Sequence, residues 1–174
     1  MAGGSQGVTL TLLHGIGRSI SLTLMAAALA ILRHRAATDR FANLHGVARR
    51  LPIATAGFIL GGLALAGFPL TAGFPTHWAV TRALAAGATG EADALLSPGL
   101  LSFLLVALSA GILVGLMRAL NAMLGAEPHE DVAPQPILAS LIVFALAALT
   151  IVLGLYPQLF LEPVQQVAQA FSLF

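Results

Sequence analysis

The 174-residue chain is far more apolar than an ordinary soluble domain. Hydrophobic residues make up 58% of it and charged residues only 9%, whereas about 25% of a typical soluble domain is charged. The formal net charge is +1 and all eight basic residues are arginine, which gives no electrostatic case for nucleic-acid binding. The absence of cysteine excludes disulfides and cysteine-ligated metal sites. We therefore expect an integral membrane protein that contacts the lipid bilayer and no nucleic acid.

Hydropathy along the chain predicts an all-α membrane protein with about four full transmembrane helices, a broken half-helix and a C-terminal amphipathic helix. A spanning helix needs about 20 mostly apolar residues, and the stretches that meet or approach this length are 8–32, 51–68, 99–124 and 137–157. Together they form one transmembrane domain over 8–158. The preceding tail, 1–7, has no positive charge, so we expect the first apolar run to be a retained span and not a signal peptide.

The stretch AGFPLTAGFPTHWAV, residues 66–80, has the pattern of a membrane helix that stops, turns and restarts. Pro69, Gly73 and Pro75 form the expected break, and the apolar run that follows, 74–86, is too short to cross the membrane alone. Because the bilayer core cannot hydrogen-bond free backbone groups, a broken helix is tolerated only where protein or a water-filled cavity covers it. The break is therefore predicted to face the interior of a bundle, as discontinuous helices do beside the ion paths of transporters.

The polar segments indicate the orientation of the chain. The linker 33–50 holds five of the eight arginines, and the positive-inside bias places it on the cytoplasmic face. The acidic, proline-containing linker 125–136 is expected to be a solvated connection. In the tail 159–174, apolar residues and glutamines alternate at helical spacing. This pattern predicts an amphipathic helix that lies along the interface or against a neighbour.

Two polar residues occur inside the first predicted span. His14 and Arg18 are one helical turn apart and share a face. An arginine at the centre of a bilayer costs roughly 2.5 to 3.5 kcal/mol on insertion scales, and such residues face a bundle interior or water. The pair is therefore a candidate for a polar path. In the alternative interpretation, the helix begins later and Arg18 extends to the headgroups.

A second histidine follows the predicted break. His77 lies two residues after Pro75, and a histidine can accept or release a proton near neutral pH. The other interpretation is that its ring only satisfies backbone carbonyls freed by the prolines. Arg82 is a secondary charge about one turn beyond His77. Arg118, near the end of its span, is expected to be an interfacial anchor.

Three stretches carry a resemblance to a known family. LLHGIGRSISL resembles the His-x-x-x-Lys helix of the antiporter-like, proton-translocating membrane subunits of NADH:quinone oxidoreductase (respiratory complex I) and of multisubunit cation/proton antiporters. NLHGVARRLPIATAGFILGGLALAGFPLTAGFPTHW resembles the linker and span that follow, which end in Leu-Ala-Gly-x-Pro-x-x-Ala-Gly-Phe. ALSAGILVGLMRALNAMLG is similar to the next helix of that family. The likeness extends from about Val8 to Pro157 and corresponds to the C-terminal portion of such a subunit.

The resemblance implies roles for three residues. His14 stands at the family's channel histidine, Arg18 at the lysine that follows it, and His77 at the lysine or glutamate of the broken helix. These residues would belong to a hydrated axis that relays protons, although an arginine keeps its proton and acts only as a fixed charge. The resemblance also implies other membrane subunits as partners, in particular a chain that carries the N-terminal helices of the family. It implies a bacterial cytoplasmic membrane as the location.

Three functions remain open from the sequence. The first is a truncated or split membrane subunit that contributes to proton translocation in a respiratory or antiporter complex. The second is a structural membrane subunit that only packs against partner helices, and the third is a small homo-oligomeric secondary transporter. The chain has no cysteine and no Gly-x-Gly-x-x-Gly fingerprint, so we expect no catalytic centre, cofactor or metal within it.

Overall fold

The computed structural model describes residues 2–36, 44–87, 97–125 and 133–171. The regular structure of these residues is entirely helical, which confirms the predicted all-α class. The helices are α1 (Ala2–Ala36), α2 (Val47–Arg50), α3 (Pro52–Leu65), α4 (Phe74–Gly87), α5 (Pro98–Leu124), α6 (Ile137–Leu155) and α7 (Gln158–Phe171). Parts of the arginine-rich linker and most of the acidic linker lie outside the described residues.

Among the described residues, three helices are long and apolar enough to cross a membrane, and they contain the stretches Gly7–Ala36, Gly99–Leu124 and Ile137–Leu155. The chain is thus an integral membrane protein. α3 has 14 residues and is about 21 Å long, shorter than a hydrocarbon core of about 30 Å. Hydropathy alone extends this element to residue 68, but the helix ends at Leu65 because the backbone turns at Gly67.

The core forms where α3 packs between α1, α5 and α6. Leu24 and Ala28 of α1 are fully buried, and Phe58 of α3 and Val143 of α6 are nearly so. Glycines on α3 let the helices approach closely: a Cβ atom at Gly61 would lie 2.9 Å from the backbone nitrogen of Met25 on α1. Small residues at a helix interface serve this purpose in membrane proteins, where van der Waals packing drives helix association.

α5, on the outside of the bundle, presents a broad apolar face. On α5, Phe103 is 67% exposed and Leu108 is 69% exposed, as expected of side chains that meet lipid or a neighbouring membrane helix.

The two shorter helices α4 and α7 both pack against α1. α7 lies against α1 and buries Val164 and Ala168. α4 contacts α5 and α1, so the half-helix after the break lies between the first span and an outer one.

Candidate functional site

The end of α3 is shaped by a glycine in the left-handed region. Gly67 has φ of 75°, a conformation that residues with a Cβ atom rarely adopt. The N–H of Phe68 donates to the Leu63 carbonyl at 3.0 Å, and the N–H of Gly67 donates to the Ala64 carbonyl at 3.1 Å. This is the Schellman pattern of a helix C-terminus. It satisfies carbonyls that a broken helix would otherwise leave free in the membrane.

A tight turn follows immediately. The N–H of Thr71 donates to the Phe68 carbonyl at 3.3 Å, so Pro69 and Leu70 occupy the two central positions. Leu70 has φ of 70°, whereas a turn of this kind favours glycine at that position. The Thr71 hydroxyl also donates to the Phe68 carbonyl, at 2.6 Å. The predicted proline of the break thus stands at the first central position of the turn.

Backbone from two spanning helices packs against one side of the break. A Cβ atom at Gly17 of α1 would lie 2.9 Å from the Ala72 carbonyl oxygen. A Cβ atom at Gly154 of α6 would lie 2.5 Å from the Leu70 carbonyl oxygen. The residues after the turn, 71–73, are buried, whereas the residues at its tip, 68–70, are exposed. Protein therefore covers the second part of the break and leaves the tip of the turn open.

α4 restarts the helix directly after the turn. The N–H of His77 donates to the Gly73 carbonyl at 3.1 Å, the first regular helical hydrogen bond after the break. Pro75 lies in the first turn of α4, where a proline removes no helical hydrogen bond. Gly73 is packed against the Ala64 carbonyl at the end of α3, with no room for a Cβ atom. The sequence thus restarts the helix three residues before His77.

The first histidine bonds to the restarted helix. His14 Nδ1 on α1 lies 3.1 Å from the Thr76 hydroxyl oxygen on α4. His14 is half-buried and Thr76 is 6% exposed. Since Thr76 precedes His77 directly in the chain, this bond brings the two predicted histidines to the same level of the bundle.

The second histidine bonds to the neighbouring span. His77 Nε2 lies 3.1 Å from the Ser109 hydroxyl oxygen on α5. On its other side the ring abuts the end of α3, because a Cβ atom at Gly67 would lie 2.6 Å from His77 Cγ. The ring is therefore held between the break and α5.

Both hydroxyls can serve a histidine in either protonation state. Thr76 Oγ1 is 3.3 Å from the Gly73 carbonyl oxygen, and Ser109 Oγ is 2.9 Å from the Leu105 carbonyl oxygen. When the hydroxyl donates to its carbonyl, its oxygen accepts from a ring N–H. When it turns, it donates to a ring nitrogen that has no proton. Each ring can therefore gain or lose a proton without losing its hydrogen bond.

The predicted charged residues face outward. Arg18 is exposed, one helical turn from His14 on the same helix. Arg82 on α4 is also exposed. Glu162 on α7 is the one acidic residue in the part of the chain that the structure describes, and no ion pair to either arginine occurs there. Arg18 thus lies exposed midway along a spanning helix, with no carboxylate partner among the described residues.

Within the described ranges, no three histidine or carboxylate side chains come together as a metal site would require. The polar groups beside the break are instead two imidazoles and two hydroxyls. This set suits the transfer of hydrogen bonds and protons.

Sequence reasoning did not identify the hydroxyl partners. Thr76 and Ser109 are common residues in membrane helices, and the available signal was only their polarity within apolar runs. Gly154 was likewise not recognised, because a glycine in a span carries no mark of the backbone that packs against it. These three roles depend on contacts between segments far apart in the chain.

The broken helix, packed against spanning helices beside two hydrogen-bonded histidines, belongs to an all-α membrane bundle. Residues 1–95 match the family model described as NADH:quinone oxidoreductase/Mrp antiporter, TM, and the chain belongs to this family. Over 125 residues it is 38% identical to NADH-quinone oxidoreductase subunit N 3 of Streptomyces griseus subsp. griseus, a region covering 70% of this chain and 21% of the relative. The chain thus spans about a fifth of the length of that relative. These two matches confirm the resemblance to antiporter-like membrane subunits that the sequence motifs indicated.

Proposed function

We propose that this chain contributes to proton translocation as part of an antiporter-like subunit in an NADH:quinone oxidoreductase or cation/proton antiporter complex. His14 and His77 accept and release the protons. Arg18 acts as a fixed charge, since an arginine keeps its proton at physiological pH. Any oxidoreductase activity belongs to the assembly and not to this chain.

One observation carries the proposal. The two histidines are joined through consecutive residues of α4, since Thr76 bonds to His14 while His77 bonds to Ser109. Imidazole titrates near neutral pH, and hydroxyls can pass a hydrogen bond in either direction. The histidines and hydroxyls therefore form two hydrogen-bonded pairs, one from α1 to α4 and one from α4 to α5, which lie at consecutive residues of α4 beside the helix break.

Other membrane helices complete the site in this proposal. Arg18 is exposed midway along α1, and a charge at that depth requires water, a counterion or a polar neighbour. The outer face of α5 is apolar from Leu100 to Met117 and suits contact with lipid or further subunits. The relative with 38% identity is a bacterial protein named as a subunit of an NADH-quinone oxidoreductase. We place this chain in the cytoplasmic membrane accordingly, beside other membrane subunits.

The test is the replacement of His77 in the assembled complex. His77→Ala removes the proton-accepting ring, and His77→Gln keeps a hydrogen-bonding side chain that cannot titrate. We expect proton uptake by inverted membrane vesicles, relative to NADH oxidised, to fall about tenfold or more in both variants, because loss of a proton-transferring side chain typically costs about 10²–10⁴ in rate. The matched control is Arg118→Gln on α5, which removes an exposed charge away from the break.

The alternatives predict different results. A structural subunit would show unchanged proton uptake with His77→Ala and a normal amount of assembled complex on native gels. A self-contained transporter would move protons across liposomes that contain this polypeptide alone.

A further inference from the structure

A groove of about 540 Å³ runs between α3 and α5 on the outside of the bundle. Apart from Thr55 its lining is apolar, and Leu120 and Leu124 of α5 form one wall. Behind the groove the two helices touch, since a Cβ atom at Gly62 would lie 2.6 Å from Leu116 Cδ1. The other wall is a stripe along one face of α3, formed by Pro52, Ala56, Ile59, Leu60 and Leu63.

One end of the groove lies beside a pair of arginines. Ala48 of α2 lines the groove, and the next two residues, Arg49 and Arg50, are exposed. α2 packs against both α3 and α5. This end of the groove therefore belongs to the arginine-rich linker, which the positive-inside rule places on the cytoplasmic face.

The length of the groove matches one leaflet of a bilayer. Pro52 and Leu63 are 11 positions apart on α3, which corresponds to about 17 Å along the helix. One leaflet contributes about 15 Å, half of a hydrocarbon core of about 30 Å. A groove that begins at the headgroups and ends near the midplane has the dimensions of an acyl chain.

A spanning helix of a neighbouring subunit fits the same groove less well. Such a helix covers about 30 Å of hydrocarbon, and α3, which forms one wall, ends at Leu65. An apolar helix also offers no negative charge to the arginines at the end of the groove. A phospholipid supplies both an apolar chain and a phosphate.

We propose that this groove binds an anionic phospholipid of the cytoplasmic leaflet, with an acyl chain between α3 and α5 and the headgroup at Arg49 and Arg50. A guanidinium group binds phosphate through paired, charge-assisted hydrogen bonds. Basic residues at the membrane surface attract anionic lipids in preference to zwitterionic ones. The proposal concerns a different part of the bundle from His14 and His77 and does not depend on the proton path.

The test uses a phosphatidylglycerol that carries a diazirine near the end of one acyl chain. The probe is added to the full chain in mild detergent, together with the subunits that copurify, and labelled peptides are identified after illumination. We expect label on α3 near Ile59 and Leu63 and on α5 near Leu120. Unlabelled phosphatidylglycerol should displace the probe at concentrations at least about tenfold lower than phosphatidylcholine, because two arginines favour the additional negative charge.

The arginine pair determines this preference. Arg49→Gln combined with Arg50→Gln should reduce the preference for phosphatidylglycerol to about twofold or less, whereas lysine at both positions should retain most of it, because lysine keeps the charge. Arg118→Gln is the matched control. Arg118 is exposed two positions after the buried Leu116, about 200° around α5 and thus turned away from α3, so its loss should leave the preference unchanged.

A larger side chain in the groove tests the position of the acyl chain. Ala56 is an exposed residue of the lining, so Ala56→Phe should reduce labelling several-fold. Ala107→Phe is the control, because Ala107 is exposed on the outer face of α5 between Val106 and Leu108. It adds the same ring outside the groove and should leave labelling unchanged.

Several results would overturn the proposal. One is label spread evenly over the apolar surfaces, with equal displacement by the two lipids, as in non-specific lipid contact. Another is unchanged labelling in Ala56→Phe together with loss of a copurifying subunit, which would assign the groove to a helix of that subunit. If the double glutamine variant does not assemble, ionic strength replaces it, since raising the salt from about 0.1 to about 1 M shortens the Debye length from about 10 to about 3 Å. A preference for phosphatidylglycerol that persists at high salt would then contradict the role of the arginines.

Discussion

At the scale of single residues, each histidine depends on one hydroxyl for its position. Ser109→Ala removes the hydroxyl 3.1 Å from His77 Nε2, at a cost of about 0.5–1.5 kcal/mol for the lost hydrogen bond. We expect a partial loss of proton uptake per NADH, smaller than in His77→Ala, because the titrating ring remains but is less well held. Ser109→Thr keeps the hydroxyl and should retain most of the activity. Equal uptake by Ser109→Ala and the wild type would show that the serine does not position the ring.

Gly67 is the second residue that positions His77. Gly67→Ala would place a Cβ atom 2.6 Å from His77 Cγ at a residue with φ of 75°, and the left-handed backbone alone costs a residue with a Cβ atom about 1–2 kcal/mol. We expect a lower melting temperature in detergent and reduced proton uptake.

Gly15→Ala on α1 is the matched control for Gly67→Ala, since a Cβ atom there meets nothing within 4 Å. It should melt as the wild type does. If Gly67→Ala also melted at the wild-type temperature, the tight contact between the end of α3 and the His77 ring would be disproved.

These residues show what sequence alone can predict of the site. His14, Arg18 and His77 stand out because ionisable groups are rare in apolar helices. Their hydroxyl partners do not stand out, because serine and threonine are tolerated at many helix positions and the pairing depends on how α1, α4 and α5 pack. Whether the histidines carry protons remains a prediction.

At the scale of elements, close packing of α1 on α3 holds the centre of the bundle. Gly61→Ala would bring a Cβ atom to 2.9 Å from the Met25 backbone nitrogen. Backbone cannot move aside as a flexible side chain can, so we expect destabilisation of about 1–3 kcal/mol, the usual range for overpacking. Thermal unfolding monitored by size-exclusion chromatography measures this loss of stability.

Gly115→Ala on α5 is the comparison for Gly61→Ala. It adds a methyl group where nothing lies within 4 Å, so its melting temperature should equal or exceed that of the wild type, because alanine favours a helix more than glycine does. Equal destabilisation by both substitutions would show that the α1–α3 contact is not specifically tight.

The element boundaries were only partly predictable. Prolines at 69 and 75 predict that a helix stops and restarts, because a proline has no N–H to donate within a helix. The left-handed Leu70 was not predictable, since leucine does not favour that conformation. The backbone of Leu70 packs closely against Gly154 of α6, so tertiary packing supports a conformation that the local preference of leucine does not favour.

At the scale of the whole molecule, the proposed role in a complex requires that this bundle lie beside other membrane helices. We expect the tagged chain, extracted in a mild detergent, to copurify with other membrane subunits in nearly equal amounts. Arg18→Leu should alter this association, because it removes the exposed charge that the neighbouring helices must accommodate. A chain that elutes alone and monodisperse, with or without the substitution, would contradict a role within a complex.

The most direct measurement of the central claim is the number of protons translocated per NADH oxidised in His14→Gln, His77→Gln and the double variant. Two histidines on one path act in series, so each single substitution should already cause most of the loss and the double variant should lose little more. Wild-type stoichiometry in the three variants, with normal assembly, would contradict the account.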